Sequence, residues 1–327
     1  GRCIMKNITK KASASETERV LKVKKRGVGL EKARYRAFYA IMAPFIFFFL
    51  LTKGYPLVWG LYISFTNFTG FNLDNLTFVG LANFKRVFVD NEALPSILRV
   101  IGIGVITVPV GTVICVTISL ILSNTFRGVG VFRTLFYLPS VIPAVAIALM
   151  WKGIYAYDGG LFNFVRELFG AEAVNWLGFD YVKRALIIMM LWTSGGGALT
   201  IIAAIKGIPD DLYEAADIEG VGPVSKTFKI TLPLVSNMIY MHITTSIIGT
   251  LQLFAQPVLL AGASGEGLTS VPIRPVYTYL VHVYQQIFVN MRFGYGMAMV
   301  WVIFAIIMTI TFVLEGTKKY WVYTESN

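Results

Sequence analysis

The chain has 327 residues, of which 56% are hydrophobic and 14% are charged, and its mean hydropathy is +0.66. Soluble domains carry about a quarter charged residues, so this composition excludes an ordinary soluble protein and favours a membrane protein. The net charge is +11, but residues 1–36 hold twelve Lys and Arg side chains against three Asp and Glu. Because the charge is concentrated in one segment, we expect a solvated basic tail beside a membrane and no nucleic-acid partner.

Six apolar segments are each long enough, at about twenty helical residues, to cross roughly 30 Å of hydrocarbon. They are 37–65, 97–122, 131–153, 185–207, 234–261 and 293–315. Pro56, Pro109, Pro139 and Pro143 fall inside them, where we expect kinks rather than helix ends. The pattern predicts an all-α, polytopic membrane protein with six transmembrane helices in a domain 37–320. The basic tail 1–36 precedes this domain and a short tail 321–327 follows it.

The basic residues predict the orientation, because Lys and Arg mark the cytoplasmic side of a membrane protein. With the N-terminus inside, the cytoplasmic pieces hold 19 of the 29 Lys and Arg residues. These pieces are the tail, the loop with Arg127 and Arg133, the stretch 206–230 and the pair Lys318-Lys319. We therefore expect both termini in the cytoplasm and three longer outer loops near 66–96, 154–184 and 262–292.

The longest polar interruption in the C-terminal half is residues 213–234, which read YEAADIEGVGPVSKTFKITLPL. Pro209 and the acids Asp210 and Asp211 predict a helix start, with Asp210 as the N-cap. Gly220 and the following Gly-Pro predict its end, and a second short helix is expected from Ser225. Such an amphipathic helix–turn–helix either packs on the bilayer surface or inserts into a partner.

The fifth apolar segment has one polar face. When its residues are placed at steps of about 100° from His242, seven mostly small or polar residues fall within one arc of about 160°. They are Thr245, Ser246, Gly249, Thr250, Gln252, Leu253 and Gln256. One-sided polarity in a membrane helix indicates an aqueous path or a polar seam between helices, and the two glutamines and the histidine favour a solute path.

Two other apolar segments contain unusual residues. The fourth has Trp192 and Thr193 followed by the run Gly195–Gly197, and glycines allow close approach by another helix or by a ligand. Trp192 either stacks on a sugar ring or fills space. In the first segment, Lys53 either faces an anionic solute or extends to the membrane interface.

Several kinds of chemistry are disfavoured. The two cysteines, Cys3 and Cys115, provide no disulfide framework or metal motif, so we predict no metal site. Residues 220–227 lack one glycine of a phosphate-binding loop, so we expect no nucleotide on this chain. The six segments contain almost no Asp or Glu, which disfavours but leaves open an ion-coupled secondary transporter. A remote alternative is an intramembrane serine protease that uses Ser264 and His282.

The polar stretch resembles the signature of ABC importer permeases. The residues that carry the resemblance, in order and spacing, are Glu214, Ala215, Ala216, Gly220, Ile230, Leu232 and Pro233. In that family the loop, here 206–233, forms a coupling helix that docks on an ATPase subunit. The resemblance implies charge contacts from Glu214, close packing at Ala215 and Ala216, and a tight turn at Gly220.

Three further stretches, Tyr55-Pro56, 78–84 and 132–139, are similar to the sugar-importing, maltose-permease-like branch. This resemblance implies a transport subunit of the bacterial inner membrane that is not itself an enzyme. The implied partners are a second permease in a heterodimer, two ATP-binding cassette subunits that hold ATP and Mg, and a periplasmic binding protein that delivers an oligosaccharide. The chain also looks similar to the larger permease of an alginate-oligosaccharide importer, and Lys53, a cation suited to uronates, supports that likeness.

The same resemblance implies which residues contact the sugar. On the fifth helix they are Ser246, Thr250 and Leu253, which lie on the polar arc. On the fourth helix Trp192 and Thr193 occupy the corresponding region. We add three residues to this substrate path from the residue patterns above, namely Gln252, Gln256 and Lys53.

Overall fold

The computed structural model describes residues 32, 34–70, 76–264 and 269–323. Most of the predicted tail 1–36 and the last four residues of the tail 321–327 lie outside the described residues, as does the side chain of Ser264. The chain divides into two compact units, one that reaches to Tyr62 and one that begins at Ile63.

The first unit is formed by the first span. Helix α1 (Arg34–Ser64) is long and apolar enough to cross a membrane, and it contains a π-helical turn at Leu50–Gly54. The turn comes just before Pro56, which lacks a backbone N–H and whose ring crowds the carbonyl one turn earlier. A π-helical turn is a usual adjustment where the regular hydrogen-bond ladder is interrupted. The irregularity predicted at Pro56 takes this form.

The remaining elements belong to the second unit. The helices are α2 (Ala82–Val89), α3 (Ala93–Ser123), α4 (Val129–Val141), α5 (Ala144–Ile154), α6 (Leu161–Leu168), α7 (Val182–Lys206), α8 (Asp210–Ile218), α9 (223–234), α10 (Ser236–Leu251), α11 (Ala255–Ala261), α12 (Tyr279–Tyr284) and α13 (Phe293–Lys318). Helix α7 includes a 3₁₀ turn at Thr193–Gly197, and α9 includes a π-helical turn at Thr227–Thr231. Two short antiparallel strands, β1 (Gly262–Ser264) and β2 (Val271–Pro272), are additions to the predicted helices.

The membrane-spanning elements agree with the sequence prediction. Helices α1, α3, α7 and α13 are each long and apolar enough to cross a membrane. Two bent pairs, α4 with α5 and α10 with α11, meet the same criterion when each pair is taken together, which gives up to six spans. The predicted class, an all-α membrane protein with six apolar segments, is confirmed.

The two bent pairs correct the expectation that prolines only kink the spans. Helices α4 and α5 meet at 101°, and Pro143 lies at the break, immediately before α5 begins. The ring of a proline disfavours the helical conformation of the preceding residue, and Ile142 is extended with a ψ of 132°. Pro143 therefore ends a helix. Pro109, by contrast, lies inside the continuous helix α3.

The largest group of buried apolar side chains lies where α3, α5, α7 and α11 meet. It includes Ile103, Trp151, Leu186 and Leu260. Between helices in hydrocarbon, close van der Waals packing replaces the removal of apolar surface from water as the main source of stability. This packing holds α3 and α7 beside α10, where the three helices form the walls of a cavity.

Candidate substrate cavity and polar loop

An open cavity of about 640 Å³ lies between α3, α7 and α10. Its polar lining consists of Thr107, Thr193, Ser194, Thr200, His242, Thr245, Ser246, Thr250 and Gln256. The lining residues in the described part of the chain include no Asp, Glu, Lys or Arg. The cavity is therefore polar without carrying a formal charge.

Helix α10 supplies the largest share of the wall. His242, Thr245, Ser246, Gly249 and Thr250 all line the cavity. Their spacing of three and four residues places them on one face of a helix. The sequence-predicted residues Ser246 and Thr250 therefore face the cavity, as does Leu253 just beyond the helix end.

The five threonine hydroxyl groups of the lining share one hydrogen-bonding state, since each donates to a carbonyl of its own helix. Thr193 Oγ1 donates to the Met190 carbonyl at 2.7 Å and Thr250 Oγ1 donates to the Ser246 carbonyl at 2.8 Å. Thr200 Oγ1 makes the same kind of bond, to the Gly197 carbonyl at 2.7 Å. A hydroxyl that donates its proton to its own helix keeps its lone pairs free to accept. The threonines of the cavity wall thus offer a ligand hydrogen-bond acceptors.

The glycine run in α7 brings neighbouring backbones close to the cavity. A Cβ added at Gly195 would lie 2.3 Å from the carbonyl oxygen of Phe136 in α4. A Cβ added at Gly197 would lie 2.4 Å from His242 Nδ1 and 3.2 Å from Cys115 Sγ. The sequence left open whether a helix or a ligand approaches these glycines. The structure shows close approach by helices, while Gly196 and Gly197 also line the cavity.

Two residues predicted for the substrate path do not line the cavity, and a third, Lys53, belongs to the other compact unit. Trp192 packs edge-on against Trp151, with ring centroids 5.9 Å apart, and it does not line the cavity. Gln252 follows the last residue of α10 and is exposed outside the cavity. Lys53 lies in the π-helical turn of α1, in the other compact unit.

The break between α10 and α11 explains the separation of the two glutamines. The predicted arc assumed a single helix through residue 256, but α10 ends at Leu251 and α11 is bent from it by 53°. Gln256 lies on α11 and still lines the cavity. The predicted polar arc is therefore wrong beyond the end of α10, because the helical period of about 3.6 residues applies only within one continuous helix.

Sequence reasoning also missed part of the wall. Helix α3 contributes Thr107, Val108 and Gly111, and methionines come from α7 and α10. A local indication in α3 is the pair Thr107 and Gly111, which are four residues apart in a largely apolar helix. Such a pair is also usual in helix–helix contacts, so it does not identify a cavity by itself.

The polar stretch forms the predicted helix–turn–helix with two corrections. Pro209, rather than Asp210, is the residue before the first helical residue of α8, and no side chain caps the helix. The second helix begins at Pro223 rather than Ser225. Gly220 ends the first helix with a φ of +72°, a conformation that favours glycine.

Contacts within the polar stretch fix its shape. The hydroxyl groups of Tyr213 and Thr231 are hydrogen-bonded at 2.9 Å, and Lys226 forms an ion pair with Asp217. Ala216 is buried, whereas Glu214 and Ala215 are exposed. The two short helices are thus held together, and the predicted docking residues lie partly on their outer surface.

The same stretch exposes apolar side chains. Ile218 is 89% exposed, Val224 is 70% exposed and Phe228 is 66% exposed. A cluster of large apolar side chains on an otherwise polar loop is typical of a surface that contacts another protein.

His282, the base of the protease alternative, has a structural role. Its Nδ1 lies 2.9 Å from the Tyr277 hydroxyl and its Nε2 lies 3.3 Å from Asp90 Oδ2. Burial acts to raise the pKa of Asp90, but hydrogen bonds from Tyr295, from the Glu92 N–H and from His282 lower it to about 2. Both ring nitrogens of His282 are therefore engaged, and Nε2 links α12 to Asp90, just before the start of α3.

Comparison with known proteins identifies the family. The model of the family described as "Binding-protein-dependent transport system inner membrane component" matches residues 111–320. The chain belongs to this family of ABC transporter permeases. The match covers α7 to α10, and so includes the polar loop and most of the cavity wall. Membership sets aside the secondary-transporter and protease alternatives.

Individual relatives agree with the family match. The permease is 33% identical over 294 residues to the probable ABC transporter permease protein YesP of Bacillus subtilis. The alignment covers 88% of this chain and 92% of that protein. It is 32% identical over 195 residues to the trehalose/maltose transport system permease protein MalF of Thermococcus litoralis. This alignment covers 59% of this chain and 66% of that protein.

A solved structure supports the fold. It is a bacterial ABC transporter involved in the import of the acidic polysaccharide alginate, and it aligns with a TM-score of 0.73. The alignment covers 88% of this chain and 96% of the other at 18% identity. At that identity the likeness shows a common permease fold.

Proposed function

We propose that this permease passes an oligosaccharide through the cavity by alternating access, as one subunit of an ABC importer. The observation that carries the proposal is the lining of the cavity, which is polar, uncharged and rich in hydroxyl oxygens that can accept hydrogen bonds. A sugar presents many hydroxyl donors and no formal charge, so it matches this lining.

The names of the relatives support a saccharide substrate. Besides the trehalose/maltose permease, they include the arabinooligosaccharides permease AraP, which is 28% identical over 295 residues. The uncharged lining favours a neutral oligosaccharide over an acidic one. An alginate-type oligosaccharide is the second candidate, and Lys53 supports it as a cation suited to uronates.

The polar stretch 206–233 is proposed to dock on an ATPase subunit at the cytoplasmic face. Exposed Glu214 and Ala215 and the apolar side chains of Ile218, Val224 and Phe228 support this role. In the proposed importer, ATP and Mg bind to two ATP-binding cassette subunits, a second permease completes the pathway, and a periplasmic binding protein delivers the sugar. The permease would lie in the bacterial inner membrane with both termini in the cytoplasm.

The substrate path is tested by Thr250→Val, which keeps the shape of the side chain but removes its hydroxyl. We expect the sugar concentration for half-maximal uptake into proteoliposomes to rise about fivefold, because one hydrogen bond contributes roughly 1 kcal/mol. Thr244→Val is the matched control. Thr244 makes the same hydrogen bond to its own helix, at 2.9 Å, but it does not line the cavity. Equal uptake by both variants would argue against the assigned path.

The substrate class is tested with neutral and uronic oligosaccharides on the same complex. We expect the neutral sugars to be taken up and to stimulate ATP hydrolysis. If only uronic sugars are transported, and Lys53→Gln abolishes their uptake, the acidic candidate replaces the neutral one.

The docking role is tested by Glu214→Lys. We expect loss of the ATPase subunits on purification and loss of uptake, with unchanged thermal unfolding of the permease. Glu219→Lys, an exposed change of the same charge in the same loop, serves as the control. Retention of the ATPase subunits by Glu214→Lys would contradict the assignment.

A further inference from the structure

Helix α6 (Leu161–Leu168) lies in the connection between α5 and α7, outside the spans. Most of its apolar side chains are exposed. Leu161 is 54% exposed, Phe164 is 55%, Val165 is 42%, Leu168 is 69%, and Phe169, one residue past the helix, is 85%. At about 100° per residue these five side chains form a single stripe roughly 140° wide. We refer to them as the apolar stripe.

The opposite face of α6 is attached to the protein through a polar residue. Asn163 is 1% exposed, and its amide nitrogen donates to the carbonyls of Tyr157 and Val174 at 3.1 and 3.0 Å. Its Oδ1 accepts from the Val174 N–H and from the Trp176 indole N–H, both at 3.0 Å. These four bonds fix the rotation of the helix, because any turn that buried the apolar stripe would leave Asn163 unpaired.

Aromatic packing reinforces this orientation. The Phe162 ring packs edge-on against Tyr155 at 5.1 Å and against Trp176 at 5.4 Å. A helix on the surface of a soluble domain turns its apolar face inward and its polar face to water. Helix α6 packs Phe162 inward but leaves the apolar stripe exposed, so this face is suited to a non-aqueous surrounding.

The position of α6 places the bilayer surface within its reach. Only residues 155–160 separate it from the end of α5 at Ile154, and six residues span at most about 20 Å. Gly159, with a φ of +69°, provides a turn in this link. The exposed side of α5 includes Leu149 and Val145, so apolar surface is exposed on the span that leads into α6.

The size of the apolar stripe also favours lipid over a protein. Five partly exposed side chains offer on the order of 500 Å², whereas one side of a stable protein interface usually buries about 800 Å². We propose that α6 lies flat in the membrane interface, with the apolar stripe inserted at the boundary between the lipid headgroups and the acyl chains. Exposed Tyr157 and Phe179, in the segments that flank it, suit the same region.

The proposal is tested by site-specific fluorescence on the assembled transporter in lipid nanodiscs. Single cysteines replace Phe164 or Leu168 in a Cys3→Ser background, since Cys115 is buried, and are labelled with an environment-sensitive dye. Glu167→Cys is the matched control, because Glu167 is exposed but lies about 130° from the centre of the apolar stripe. We expect lipids with a spin label near the headgroup to quench the labels at 164 and 168 at least about twofold more than the label at 167.

Other occupants give different results. Equal quenching at 164, 168 and 167 would overturn the proposal, because it would show that the helix has no lipid-facing side. Labels at 164 and 168 that are quenched by aqueous iodide until the binding protein is added would also overturn it and would assign the apolar stripe to that partner. Protection from both quenchers would assign it to another subunit of the assembly. If the Phe164→Cys variant alone fails to assemble, the label at Leu168→Cys still tests the proposal.

Discussion

Replacing Gly195 with alanine is expected to separate α7 from α4. The added Cβ would lie 2.3 Å from the Phe136 carbonyl oxygen and 3.2 Å from its carbonyl carbon. Both atoms are backbone atoms of α4, so no side-chain rotation can relieve the overlap. The helices must move apart by about an ångström, and in a close-packed interior such a shift loosens the surrounding contacts.

The size of the effect is the difference between two terms. Overpacking of a tight interior costs about 1–3 kcal/mol, and contact with backbone belongs at the upper end of this range. Alanine in place of glycine stabilises a helix by up to about 1 kcal/mol. We therefore expect Gly195→Ala to lower the free energy of unfolding by roughly 2 kcal/mol.

The assay is the unfolding midpoint of the purified full-length permease in one detergent, with Gly249→Ala as the control. Gly249 lines the same cavity, and a Cβ added there would meet nothing within 4 Å. The control variant should therefore match or exceed the native stability. A Gly195→Ala protein as stable as the Gly249→Ala protein would refute the close approach of α7 and α4.

Two further effects follow from the segments that connect the spans. Asn163→Ala should leave the Val174 N–H and the Trp176 indole N–H without their acceptor. We therefore expect it to lower the free energy of unfolding by about 3 kcal/mol and to speed hydrogen exchange in 155–181. Asn175→Ala, a change at an exposed residue, should have neither effect. The lowered pKa of Asp90, about 2 instead of 3.8, contributes stability that is present above about pH 4 and is lost as pH falls towards 2. Unfolding measured from pH 6 to pH 2 should show this loss in the native chain and a smaller loss in Asp90→Asn.

Much of the fold could be predicted from the sequence because span length and apolarity are local properties. The six segments appear as four continuous helices and two bent pairs. The prediction was wrong where a segment is interrupted. Proline at position 143 was expected to kink a span, but it lies at a 101° break, because only the neighbouring packing decides whether a proline bends a helix or ends it.

The site was predictable in part for the same reason. Ser246 and Thr250 follow the helical period, and they line the cavity with Thr193. Gln252 does not line the cavity, because helix α10 ends one residue before it. Trp192 does not line the cavity either, because its ring packs on Trp151. Whether these placements carry substrate stays a prediction, as does the docking role of Glu214.

The sequence by itself determined the membrane class, the polar face of α10 and the permease signature in the polar stretch. Each depends on composition, helical period or spacing within a few turns, and these set the local hydrogen-bonding pattern and the exposed face. Only the tertiary structure decided that Thr107 and Gly111 share a cavity with α10, and that the apolar side of α6 faces outward. Both depend on how helices distant in sequence pack together, which the period of any one helix does not encode.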